Sequence, residues 1–283
     1  KVAQFILLGV GGAKLIDELN FNPELYHLNE AHAFSSAFYL LKKFGSKEEV
    51  KKRMVFTTHT PEEAGNEKHD IYLCEKMGYF CGLPLDEVRK ITGMTDDQFN
   101  HSLGTLRFAK LANGVSQLHG EVSRKMWNRY EGICEIKAIT NAQNWHYWAD
   151  KQLYHFVDKA HEEAFDDRKR YLKKRAFDLV ADQTGKLFNP DVFTVVWARR
   201  FAGYKRAELI TRAEERFRQL LENKKYPVQI IWAGKPYPLD YPAISDFNYL
   251  VNLSKEHKNM AVCTGYELGL SKRLKQASDV WLN

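Results

Sequence analysis

Cysteine is scarce in this sequence: four residues, Cys74, Cys81, Cys134 and Cys263, in a chain of 283. None forms a C-x-x-C pair, which argues against a disulfide framework and a cysteine zinc site and makes a reducing cytoplasm the expected compartment. Long apolar runs are also missing. The longest, such as Phe5 to Leu8 and Val228 to Trp232, fall far short of the roughly 20 residues a transmembrane helix needs, and no secretory h-region opens the chain. None of the ten histidines stands in an H-E-x-x-H pair, so zinc-dependent hydrolysis is disfavoured and no metal is expected. Neither sign of charge dominates. Forty-two Lys and Arg against 36 Asp and Glu leave +6, an excess that suits an anionic small ligand as well as nucleic acid. No internal repeat or low-complexity tract is visible.

What remains is an ordinary globular composition, 44% hydrophobic and 28% charged, long enough for one or two domains with a sizeable core. The second half alternates regularly. Apolar, β-branched runs predict strands at 192–197, 228–232, 260–264 and 279–283, and helical spacing among charges predicts helices at 205–223, 244–257 and 270–277. Strands joined by helices imply a parallel, doubly wound sheet, because parallel neighbours need crossover connections. The first half is richer in helix: 3–19, 31–44 and a long pattern over 96–127 with breaks near Gly104 and Asn113-Gly114, against strands at 25–29, 54–58 and 135–140. A charged helical stretch, 149–182, separates the halves, so a domain boundary is expected near 148. Lys1 opens directly onto a helical pattern and the chain stops in a strand pattern at Asn283, which suggests a piece of a longer protein.

The most informative segment is Ala198-Arg199-Arg200-Phe201-Ala202-Gly203-Tyr204-Lys205-Arg206, read as bridging a strand end and the first turn of the 205–223 helix. Ligands of open α/β sheets bind at carboxyl ends of strands, and helix N-termini offer free N–H groups to anions. Cations in a first turn oppose the macrodipole by a few tenths of a kcal/mol each, a cost that a bound phosphate offsets. The competing reading is a solvated basic turn. Ala233-Gly234-Lys235-Pro236 and Gly265-Tyr266-Glu267 follow neighbouring strands and would complete a cationic pocket with an aromatic wall. In the first half, Tyr26 to His32, Thr57 to Pro61 and Ile139 to Asn141 end strands with Asn, His and Thr, groups suited to sugar hydroxyls, although any one histidine is as readily structural.

Two features point elsewhere and are set aside. Gly9-Val10-Gly11-Gly12 resembles a dinucleotide glycine loop but has Lys14 where the third glycine belongs. The basic run from Arg168 to Arg175 follows Glu162, Glu163, Asp166 and Asp167 on one helix, which favours a solvated helix face over nucleic-acid binding.

Seven stretches, in order and over nearly the whole chain, resemble the α-glucan phosphorylases, the glycogen, starch and maltodextrin phosphorylase family in its prokaryotic form: YHLNEAHAF (26–34), VFTTHTPEEAGN (55–66), ANGVSQLHGEVSRKMW (112–127), ITN (139–141), ARRFAGYKRA (198–207), IWAGKPYP (231–238) and GYELGLSKRLKQASDVWLN (265–283). The resemblance implies a GT-B type α/β glycosyltransferase, with two Rossmann-like domains facing each other across a cleft, both incomplete here. Residues 1–148 would be the C-terminal part of the glucan-side domain, and 149–283 the first part of the phosphate-side domain. It implies a pyridoxal phosphate cofactor, with Arg200 and Lys205 as catalytic cations for the substrate phosphate. Arg199, Lys205 and Tyr266 would lie beside the cofactor, and His59 and Asn141 on the glucosyl unit.

The family's Schiff-base lysine would lie beyond residue 283 and its glycine-rich loop before residue 1, so the 283 residues alone are expected to be inactive and to hold no covalent cofactor. The expected partners are α-1,4-glucan and inorganic phosphate, with no nucleic acid and no membrane, and homo-oligomerisation stays open. Where the family has Gly after the asparagine and a Val-Pro pair, this chain has Ala142 and Glu62-Glu63. The implied reaction transfers a terminal α-1,4-glucosyl unit to phosphate with retention, giving α-glucose 1-phosphate. The alternatives are a nucleotide-sugar transferase resembling glycogen synthase and a non-catalytic glucan-binding module.

Overall fold

A computed structural model describes residues 1–158 and 161–283 and divides the chain into two compact units, Lys1–Ala142 and Gln143–Asn283. In the first unit, α1 (Val2–Ile6) runs through a π-helical turn, Leu7–Gly11, into α2 (Gly12–Glu18). Gly9 allows a close approach: a Cβ there would lie 2.6 Å from the Ala33 carbonyl oxygen and 2.2 Å from Ser35 Oγ. Then follow β1 (Tyr26–Asn29), α3 (Ser36–Phe44), α4 (Lys47–Arg53), β2 (Met54–Thr58), β3 (Lys68–Asp70), α5 (Ile71–Lys76), α6 (Leu85–Thr92), β4 (Gln98–Asn100), α7 (His101–Phe108), β5 (Leu111–Gly114), α8 (Gln117–Trp127) and β6 (Glu135–Ala138). Strands β1-β2-β5-β6 form a parallel sheet, while β3 and β4 pair antiparallel. Phe34, Phe38, Phe56, Phe80, Phe99, Phe108 and Trp127 are almost wholly buried in the core, each contributing about 1.5–3 kcal/mol of transfer free energy.

The long helix expected over 96–127 is instead strand, helix, strand, helix. Its hidden strand, β5, reads Leu-Ala-Asn-Gly, residue types poor in β propensity, because the site selects small side chains. A Cβ on Gly114 would stand 2.9 Å from the Gly120 backbone nitrogen of α8.

The second unit contains α9 (Trp145–Trp148), α10 (Lys151–Asp158), α11 (Glu162–Thr184), β7 (Phe193–Ala198), α12 (Glu214–Leu221), β8 (Val228–Ala233), α13 (Tyr241–Glu256), β9 (Met260–Cys263), α14 (Leu268–Ala277) and β10 (Val280–Trp281). The helical stretch expected over 149–182 is thus two helices, and its residues 159 and 160 lie outside the described residues. Gln276 Nε2 donates to the Trp148 carbonyl at 3.2 Å, tying α9 to α14. The sheet is parallel in the order β10-β7-β8-β9. Its side chains alternate with period two. Val196, Ala198, Ile231, Ala233, Ala261 and Cys263 pack on Phe177, Val180, Leu270 and Leu274 of α11 and α14. Trp197, Ile230, Trp232, Met260 and Val262 pack with Phe217, Leu221 and Leu250 of α12 and α13. Both faces are covered, which is why β8 is continuously apolar apart from Gln229.

Two expectations fail here. Residues 205–213 form no α-helix: short 3-10 turns occupy Gly203–Lys205 and Leu209–Thr211, Arg206 takes φ +50°, and α12 begins only at Glu214. Trp232 Nε1 donates to the Ala207 carbonyl at 3.0 Å and so consumes a group that a continuous helix would use internally. The macrodipole argument for Lys205 and Arg206 therefore does not hold. Nor is the 168–175 run simply solvated. Lys173 is only 5% exposed, donating to the Val192 carbonyl at 3.0 Å and to Asp279 Oδ2 at 2.5 Å, and Lys169 donates to the carbonyls of Gln276 (3.0 Å) and Ser278 (2.5 Å). Lys169 thereby satisfies carbonyls that the end of α14 leaves free.

Candidate functional site

In the first unit the polar residues gather at the carboxyl edge of the sheet. The chain leaves β1 through Glu30, a non-glycine residue at φ +64°, a conformation that costs about 1–3 kcal/mol and persists only where its surroundings enforce it. Here they do. The Glu30 N–H donates to the Thr57 carbonyl at 2.9 Å, and its carboxylate accepts from the His59 N–H and from Thr60 Oγ1 (3.3 Å). The His59 ring Nε2 lies 2.8 Å from Asn29 Oδ1. With that oxygen as acceptor, Nε2 carries the proton and Nδ1 is left as an acceptor for a ligand hydroxyl.

Beneath this pair a ladder crosses three strands: Thr57 Oγ1 donates to Asn113 Oδ1 at 2.8 Å and lies 2.8 Å from His27 Nε2. Asn141 is exposed and its N–H donates to the Val115 carbonyl at 3.0 Å, which fixes the β6 exit against the β5 exit. His59 and Asn141 thus follow strands separated only by β5, about 10 Å apart across the edge at ordinary strand spacing.

Sequence reasoning missed His119. It lies in the first turn of α8, where Ser116 Oγ caps the helix by accepting its N–H at 3.0 Å. Its Nδ1 accepts the Val115 N–H at 3.1 Å, leaving Nε2 buried and without a hydrogen-bond partner among the described residues. A buried donor left unpaired costs about 1–3 kcal/mol, and a ligand oxygen would remove that cost. The available signal was the serine cap directly after a strand end.

In the second unit the equivalent edge is cationic. Arg199 is half-buried, Arg200 exposed and Lys205 half-buried, and among the described residues no carboxylate lies within ion-pair reach of any of them. Tyr204 links two of them: Arg200 Nη2 is 3.5 Å from its hydroxyl and Lys205 Nζ is 4.7 Å from its ring centroid. Burial would push the Tyr204 phenol up, but the hydrogen bond from Arg200 and the charges of Lys205 and Arg200 bring it below its usual value.

Gly234 permits the close approach of two loops. Its φ is +153°, and a Cβ there would lie 1.9 Å from the Arg199 carbonyl oxygen. Buried Phe201 anchors the cationic loop, its N–H donating to the Lys235 carbonyl at 3.3 Å. The Tyr266 hydroxyl reaches the Ala198 carbonyl at 3.3 Å and Ser271 Oγ at 3.0 Å, so it braces the strand end from which Arg199 and Arg200 project. Uncompensated cations at the carboxyl edge of a parallel sheet, on a loop with a glycine-permitted close approach, fit a phosphate group, whether substrate or cofactor.

The fold and these strand ends define an α/β protein with parallel sheets, one unit presenting His, Asn and Thr side chains at a strand-end edge and the other presenting Arg and Lys. No family model matches the chain. It is 44% identical over 282 residues to an uncharacterized protein of Methanocaldococcus jannaschii, covering all of this chain and 53% of that protein. It is 31% identical to the maltodextrin phosphorylase of Thermococcus litoralis and 28% identical to the glycogen phosphorylase of Aquifex aeolicus, covering all of this chain and 40% and 49% of those proteins. The chain is homologous along its whole length to the α-glucan phosphorylases, and spans about half or less of the length of the relatives it matches. These matches favour a phosphorylase over the nucleotide-sugar transferase and the glucan-binding module.

Proposed function

We propose that this chain contributes two strand-end sites, one in each unit, to a GT-B type α-glucan phosphorylase. His59 and Asn141 would hold the terminal glucosyl unit, and Arg200 and Lys205 the inorganic phosphate that receives it. The observation that carries this reading is the pairing of chemistries at the sheet edges: an oriented His59–Asn29 pair with the buried Nε2 of His119 at one, and unpaired Arg199, Arg200 and Lys205 at the other. Substrates are α-1,4-glucan and phosphate, and the product is α-glucose 1-phosphate with retained configuration.

Phosphate is a poor nucleophile and must be held as a dianion close to other negative charge. The guanidinium of Arg200 grips it in a bidentate fork and Lys205 adds a point charge, in positions set before the substrate arrives. Tyr204, lying against both cations, orients them. On the sugar side His59 Nδ1 accepts from a glucosyl hydroxyl and His119 Nε2 donates to a sugar oxygen, which fixes the anomeric carbon relative to the phosphate. Pyridoxal phosphate, when bound, supplies a phosphate group that relays a proton to the substrate phosphate. Arg199, Lys205 and Tyr266 are the residues of this chain that would hold it, by non-covalent contacts. No pair of protein carboxylates takes part, in contrast to ordinary glycoside hydrolysis. The compartment is the cytoplasm in this reading. No helix among the described residues is long and apolar enough to cross a membrane.

The test is phosphorolysis. The gene product carrying these residues, supplied with pyridoxal phosphate, maltoheptaose and phosphate, should release α-glucose 1-phosphate. Glucosyl transfer from UDP-glucose or ADP-glucose, with no phosphate-dependent cleavage, would overturn the proposal.

A further inference from the structure

The second unit holds another concavity, of about 530 Å³, bounded by α9 and α10 on one side and by α11 and α14 on the other. Its lining is cationic: Lys151, Arg168, Arg175, Lys272 and Arg273, with Asp150 as the acid among the lining residues. That acid is already committed. Asp150 accepts from Arg168 Nε at 3.1 Å and Nη2 at 2.7 Å, and caps α10 by accepting the Leu153 N–H at 3.2 Å. Among the described residues, Lys151, Arg175, Lys272 and Arg273 have no carboxylate within ion-pair reach.

The helices segregate their charges. On α11, Lys169 and Lys173 are absorbed by carbonyls and by Asp279, and Arg170 by Asp167 and Asp191. Arg168 and Arg175, seven residues apart with buried Leu172 between them, face the concavity instead. The Tyr171 ring lies 4.9 and 5.8 Å from their guanidinium carbons and holds both. On α14 the facing row is Gly269, Lys272, Arg273 and Gln276, spaced as one helix face. An anion entering the concavity would therefore meet cations from both helices that have no carboxylate of their own among the described residues.

We propose that this concavity is a second anion site, distinct from the loop of Arg200, and that it takes a small ligand carrying at least two phosphoryl groups. One phosphate would leave cations uncompensated. A volume of about 530 Å³ suits a small molecule, whereas a polynucleotide would need a longer groove that tracks its backbone.

The experiment uses the Arg200→Ala protein, so that binding at the proposed active site is weakened, and titrates inorganic tripolyphosphate by calorimetry. One ligand per chain is expected, and adding Lys272→Ser and Arg273→Ser should weaken binding at least tenfold while the melting temperature without ligand stays the same or rises. ATP competing for that site would identify a nucleotide source, and no competition would point to a simple polyphosphate; either supports the site. Unchanged tripolyphosphate affinity in the Lys272→Ser/Arg273→Ser protein would overturn it. So would a dT12 oligonucleotide that depends on these two residues where tripolyphosphate does not. Failure of the active-site reading would show separately, as an Arg200→Ala protein with unaltered phosphorolysis.

Discussion

The His59 ring Nε2 lies 2.8 Å from Asn29 Oδ1, each residue following or ending one of two adjacent parallel strands. The contact sets the tautomer of His59 and aims Nδ1 outward, so in the proposed reaction Asn29 is a positioning residue. Asn29→Ala should lower kcat/KM for maltoheptaose phosphorolysis by about 1–3 kcal/mol of transition-state stabilisation. Asn29 is exposed, so its melting temperature should stay close to that of the wild type. Asn29→Asp retains the acceptor and should recover part of the activity. An Asn29→Ala protein with wild-type kcat/KM would remove His59 orientation from the mechanism.

Arg200 is exposed, has no carboxylate partner among the described residues and approaches the Tyr204 hydroxyl at 3.5 Å. Its removal should therefore cost little stability and much catalysis. Arg200→Ala is expected to lose about 2–4 kcal/mol of transition-state stabilisation, the range for one electrostatic donor. Phosphate saturation kinetics check this, and a loss of tenfold or less in kcat/KM would reject the assignment.

How far the sequence alone reaches depends on what each residue answers to. The strands of the second unit were legible because a sheet covered on both faces demands apolar runs, and Val228 to Trp232 and Met260 to Cys263 supply them. The strand of Leu111 to Gly114 was not, because its small residues answer to the approach of α8 and not to a β pattern. The helix expected from Lys205 fails for a tertiary reason: the buried Trp232 takes the Ala207 carbonyl. The strand-end motifs carried His59 and Arg200 into view by residue type, whereas His119 needed the structure, since only burial shows that its Nε2 lacks a partner. The same holds for Lys173, whose charge reads as surface and whose side chain is an internal strut to Asp279.

Gly234 can be tested by stability. Its φ of +153° is strained for any residue with a side chain, and the added Cβ would meet a backbone carbonyl, at Arg199, that has no rotamer to yield. Gly234→Ala should destabilise the protein by about 3 kcal/mol or more, combining backbone strain with overpacking. Chemical denaturation would show a lower midpoint at unchanged slope. Gly203→Ala is the control, since a Cβ there meets nothing within 4 Å. Equal midpoints for the two variants would mean that the Arg199 loop is free to move away.

The last prediction concerns acid. His101 is buried, with its Nδ1 2.8 Å from the Tyr79 hydroxyl and its Nε2 2.8 Å from His69 Nδ1. Burial, reinforced by the neighbouring His69 and His32, pushes its pKa down to about 3, and burial also lowers His69 while Glu67 partly opposes the shift. The other groups facing this cluster are the Phe5 ring and, through Glu67, the Lys1 ammonium at 3.1 Å. A folded pKa below the unfolded one means that the unfolded chain binds the extra proton first. The stability that neutral His101 contributes is therefore fully present above about pH 6.5 and is lost as pH falls toward 3, with a slope approaching about 1.4 kcal/mol per pH unit. Urea unfolding at a series of pH values should show this decline beginning before the carboxylates titrate. His101→Gln, which keeps a polar side chain but cannot take up the proton, should flatten the curve between pH 6.5 and 4.5. An identical slope in that variant would place the acid sensitivity elsewhere in the fold.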